Sequence, residues 1–113
     1  MIKKCQTDED FRQLLTNSHN KVVFLFKHST ACPVSRGACN KIEEFAKSES
    51  RAEFWQLLVR ENKELALRIA DETGIEHKSP QVIQFRNGKA VWDCSHHAIN
   101  ERNLGRQLKA GGS

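Results

Sequence analysis

The run Val22-Val23-Phe24-Leu25-Phe26 is a continuous apolar segment of strand length, the pattern of a strand covered on both faces of a sheet. It is followed closely by Cys32-Pro33 and then by helical spacing, so an apolar strand delivers one cysteine to the start of a helix. Pro33 suits a helix's first turn because its missing N–H has no intrahelical acceptor there, which places Cys32 at or beside the N-cap. The unpaired N–H groups and partial positive charge of a helix N-terminus favour a thiolate over a thiol. Lys27, His28 and Arg36 lie close in sequence and are expected to add to that effect. A redox Cys-x-x-Cys motif would carry its second cysteine at position 35. This chain has Ser35 there, so monothiol chemistry is expected.

The remaining segments alternate in type. Ile2 to Gln6 is a short candidate edge strand. Thr7-Asp8-Glu9-Asp10 has the form of a helix-capping arrangement, and Phe11, Leu14 and Leu15 follow at i, i+3 and i+4. A helix is expected from Pro33 to about Lys47, with Ile42, Phe45 and Ala46 buried, then a strand over Glu53 to Val59. A further helix over Glu61 to Thr73 has Leu65, Ile69 and Glu72 along one side and Gly74 as its C-cap. Asn87-Gly88 between Gln81–Phe85 and Lys89–Cys94 is the strongest short hairpin signal. Leu104 and Leu108, four apart, mark a last helix over Asn100 to Lys109. Trp55 and Trp92 fall in strands and are expected to pack there. This order argues for an α/β fold, a mixed sheet with helices on its faces. A length of 113 residues fits one domain, read as residues 1–110, with 111–113 as a flexible end.

Composition excludes several classes. A net charge of +4 comes from basic residues scattered among 14 acidic ones, with no basic block of the kind that binds nucleic acid. No apolar run approaches the roughly 20 residues of a membrane span, and no hydrophobic region follows Lys3-Lys4 as in a signal peptide. A cytoplasmic location and free thiols on the four cysteines are therefore expected. His96-His97 has no second pair at ligand spacing, so no metal site is expected.

With the cysteine at a strand-to-helix junction and Pro80 just before the hairpin, the order resembles the thioredoxin fold over nearly the whole chain, a central mixed β-sheet with helices on both faces. Val59-Arg60-Glu61-Asn62-Lys63-Glu64-Leu65-Ala66 and Ser79-Pro80-Gln81-Val82-Ile83-Gln84-Phe85-Arg86-Asn87-Gly88 are both similar to thioredoxin segments. Within that superfamily, Ser29-Thr30-Ala31-Cys32-Pro33-Val34-Ser35 resembles the YtxJ-like monothiol bacilliredoxins, whose active site reads Thr-Cys-Pro-Ile-Ser. Ala31 stands where that family has Thr, removing a hydroxyl beside the sulfur, and Val34 replaces Ile.

The resemblance implies reduction of mixed disulfides between proteins and the small thiol bacillithiol. Cys32 is then the nucleophile, within a motif of Thr30, Ala31, Pro33, Val34 and Ser35, and Ser35 occupies the resolving position. Pro80 matches the family's cis-proline, and the Ser79 backbone should align the partner's sulfur-bearing segment. The implied partners are S-bacillithiolated client proteins, a low-molecular-weight thiol and a bacillithiol disulfide reductase. Bacillithiol serves as co-substrate, with no bound cofactor. Cys39 is a candidate resolving cysteine, but seven residues of helix span about 10.5 Å whereas a disulfide wants Cα atoms within about 7 Å. Cys5 and Cys94 are read as packing thiols. Two other classes are a glutaredoxin-like iron–sulfur cluster carrier, in which Thr-Val-Pro would stand where this chain has Lys78-Ser79-Pro80, and a non-catalytic adaptor.

Overall fold

The computed structural model describes residues 2–111. In chain order the elements are β1 (Ile2–Lys4), α1 (Asp8–Asn17), β2 (Val22–His28), α2 (Pro33–Ser48), β3 (Ala52–Leu58), α3 (Lys63–Thr73), β4 (Gln81–Arg86), β5 (Lys89–Ser95) and α4 (Glu101–Gly111), with a 3-10 turn at His96–Ala98. The last helix runs one residue into the segment read as a flexible end; Gly112 and Ser113 lie outside the described residues. The strands form one sheet in the order β1-β3-β2-β4-β5. β1, β3 and β2 run parallel, while β4 and β5 are antiparallel to their neighbours.

Alternation along the strands divides the core between the two faces. Val23 and Leu25 of β2 pack with Phe11 and Leu14 of α1 and with Leu65, Ala66 and Ile69 of α3. Phe24 and Phe26 pack on the other face with Ala38, Ile42 and Ala46 of α2 and with Leu104 and Leu108 of α4. β2 is therefore apolar throughout because a helix layer covers each side of it.

Local signals account for most element ends. The Thr7 hydroxyl accepts the Asp10 N–H at 3.0 Å and Asp10 accepts the Thr7 N–H at 3.1 Å, a complete capping box. Gly74 ends α3 with φ 74°, and Asn87 and Gly88 turn the hairpin with φ 52° and 77°. Three expectations are corrected. α3 begins at Lys63 rather than Glu61, because Asn62 is its N-cap. Glu72 does not share the buried side of α3; it is exposed and takes a two-pronged bond from Arg12 of α1 at 2.6 and 2.7 Å. His96 and His97 do not end a strand but form the 3-10 turn, where both are exposed.

Candidate active site

Cys32 is the N-cap of α2, with extended backbone (φ −97°, ψ 122°) and Pro33 directly after it. Its N–H donates to Ser29 O at 3.1 Å and its carbonyl accepts the Arg36 N–H at 3.0 Å, which starts the helix. The Cys32 side chain makes no capping hydrogen bond, and the first turn holds no acidic residue. The positive end of the helix is thus unopposed at a half-exposed sulfur-bearing residue. Thr30, Ala31, Pro33 and Val34 are exposed around it, and Val34 is one of the few large apolar side chains at the surface. The Arg36 guanidinium bends back to the Thr30 carbonyl at 3.2 Å and ties the loop to the helix.

Ser35, one turn along, is fully buried. Its Oγ accepts the Ser29 N–H at 2.9 Å and lies 2.7 Å from His28 Nδ1. His28 is buried and stacks on Phe26, with ring centroids 5.0 Å apart. Burial holds the His28 imidazole below its usual pKa; Glu43 and Glu61 pull the other way and Arg36 adds to the lowering. His28 therefore sits beneath the helix start as a bracing group.

Lys27 corrects the expectation that it adds positive charge beside the sulfur. It alternates to the opposite sheet face, is wholly buried, and donates from Nζ to Gln81 Oε1 at 2.9 Å. Neighbouring residues of one strand thus tie two parts of the site, His28 to α2 and Lys27 to the start of β4. Neither link could be read from sequence spacing, since each joins residues that only the fold brings together.

Pro80 precedes β4, and the Ser79–Pro80 bond is cis. In the antiparallel register the last β2–β4 pair is Lys27 with Gln81, so Pro80 lies one residue beyond it, at the sheet end from which the Cys32 loop leaves. The Pro80 carbonyl accepts the His96 N–H at 3.1 Å, which joins the 3-10 turn to this segment. His96 has φ 55°, and neither this conformation nor the link was legible from sequence.

The other three cysteines all have raised thiol pKa values. Cys5 is fully buried and its thiol is pushed up to about 12 by burial, with Asp10 and Asp8 adding to it. Burial, with Asp93, likewise takes Cys94 up to about 12. Cys39 is half-buried, donates weakly to Gln56 Oε1 at 3.8 Å, and is raised by burial and then by Glu43. α2 runs unbroken through positions 33–48, so nothing draws Cys39 toward Cys32. All four cysteines are free. Among the described residues no three His, Cys, Asp or Glu side chains gather to hold a metal, and no helix is long and apolar enough to cross a membrane.

A half-exposed cysteine capping the helix after the central strand, with a cis-proline at the same sheet end, defines a thiol–disulfide oxidoreductase of thioredoxin-like fold. Comparison with solved structures agrees. A solved structure with a thioredoxin fold is 33% identical, with a TM-score of 0.84 over 93% of this chain and 91% of that one. Thioredoxin from Fasciola hepatica superposes at 0.78 and 21% identity, covering 96% and 98% of the two chains. The short form of spinach chloroplast thioredoxin f superposes at 0.77 and 20% identity over 99% and 94%, a likeness of fold. Residues 3–104 match the family model for monothiol bacilliredoxin BrxC. The chain belongs to the monothiol bacilliredoxin family.

Proposed function

We propose that this protein removes bacillithiol from S-thiolated cysteines of client proteins in the cytoplasm. The observation that carries the reading is the contrast at α2: Cys32 half-exposed at the helix start, with a buried hydroxyl rather than a thiol one turn on. In the reaction, the Cys32 thiolate attacks the bacillithiol sulfur of the mixed disulfide. A new S–S bond forms to Cys32 as the old one breaks, and the client sulfur leaves as a thiolate that takes a proton from water. A second bacillithiol then attacks the sulfur of the adduct, restoring Cys32 and releasing bacillithiol disulfide for a reductase. Bacillithiol is thus co-substrate, and the chemistry draws on no bound cofactor. The Ser79 backbone and Pro80 receive the client segment, and Thr30, Ala31 and Val34 line its approach to the sulfur.

Mass spectrometry after reaction with an S-bacillithiolated client tests this directly. The expected product is Cys32 carrying one bacillithiol, with the client thiol released. Glutathione and coenzyme A mixed disulfides run in parallel establish which small thiol is taken up. A Cys32→Ser variant that still dethiolates the client would overturn the assignment.

A further inference from the structure

Lys27 is completely buried, and the reaction above makes no use of it. Among the described residues no carboxylate lies within ion-pair distance of its ammonium, whose hydrogen bond runs to Gln81. A buried ammonium without an ion-pair partner is costly, and an apolar side chain would fill the place without that cost. Gln81, itself fully buried, carries the connection onward, since its Nε2 donates to Glu76 O at 3.0 Å. That bond is the one from residues 75–79 to the sheet among the described hydrogen bonds. The same loop holds two buried polar atoms without partners, His77 Nδ1 and Ser79 Oγ. An ammonium, an amide and a carbonyl thus form a chain from the strand that leads to Cys32 into the loop that ends at Ser79–Pro80.

We propose that Lys27 is a positioning residue for protein clients, holding through Gln81 and the Glu76 carbonyl the loop whose Ser79 backbone receives the client. This rests on the docking role given to Ser79 and Pro80 above. A charged ammonium makes a stronger bond to the Gln81 carbonyl oxygen than a neutral amine does. Burial lowers Lys27 to about 8, against a partial offset from Asp93 of β5, so the tie weakens as pH rises through that value. The other titratable groups around it are His77 of the loop and, acting on His77, Lys63 at the start of α3.

The test compares two substrates, an S-bacillithiolated protein and a mixed disulfide of bacillithiol with a small chromogenic thiol, for wild type and Lys27→Met. The variant is expected to raise the client KM about tenfold, the scale of one lost charge-assisted bond, with kcat and the small-substrate rate held within about twofold. In the wild type, the ratio of client to small-substrate kcat/KM should fall as pH rises through about 8 and stay flat in the variant. The step at Cys32 is common to both substrates and cancels in that ratio. Equal losses on both substrates, or an unchanged client KM, overturn the proposal. Should the variant not fold, a wild-type ratio that is flat across this range overturns it equally. A wild-type protein that turns over the small substrate but no client would instead remove the docking role of Ser79 and Pro80, and the inference with it.

Discussion

Ser35 Oγ serves two neighbours from a fully buried position, taking the Ser29 N–H and pairing with His28 Nδ1. Ser35→Ala is expected to leave both without a partner and to lower stability by about 1–3 kcal/mol, read from denaturant unfolding. Ser35→Cys places a thiol one helical turn from Cys32, and non-reducing peptide mapping should then find an intramolecular disulfide between Cys32 and the introduced thiol in place of the bacillithiol adduct. Burial raises the thiols of Cys5, Cys39 and Cys94. With Cys5 and Cys94 pushed up to about 12, brief alkylation just above neutral pH should label Cys32 first, and Cys32→Ser should remove the fast phase. A fast phase surviving in that variant would move the reactive thiol elsewhere. Cys32 was legible in the sequence because Pro33 marks a helix start by local geometry alone. The partners of Ser35 were not, because His28 lies on another element and its direction depends on which face of β2 the helix covers.

At the scale of elements, α2 sets the reach of the chemistry. Its unbroken course from Pro33 to Ser48 keeps Cys32 and Cys39 about 10.5 Å apart along the axis, beyond the roughly 7 Å a disulfide allows between Cα atoms. Cys39→Ser should therefore leave single-turnover dethiolation within about twofold of wild type. A dominant Cys32–Cys39 disulfide after reaction with a client would show that the helix start unwinds. The caps and turns were readable because each rests on a few adjacent residues: the Thr7 box, Gly74, and Asn87-Gly88. The turn at His96–Ala98 was not, since it depends on a hydrogen bond from His96 to the distant Pro80 carbonyl.

For the whole molecule, the buried lysine makes stability depend on pH in a stated direction. Lys27 binds its proton less tightly folded, at about 8, than unfolded, at 10.5. Between those values the unfolded chain holds more protons, so the wild type should gain stability as pH rises through the window and lose that gain as pH falls below about 8. Denaturant titrations of wild type and Lys27→Met across this range should show the difference between them shifting toward the wild type with rising pH. A constant difference would mean that Lys27 titrates alike in both states. The sequence by itself determined the strand that feeds Cys32, the helix start at Pro33, the hairpin and the missing thiol at position 35, because each follows from neighbours in the chain and the dihedral angles they favour. The tertiary structure alone decided that Lys27 enters the core and bonds Gln81, that His28 meets Ser35 and that the Pro80 carbonyl meets His96. Those contacts depend on strand order and on which sheet face each helix covers, and both are settled by the joint burial of two apolar layers rather than by any local run of residues.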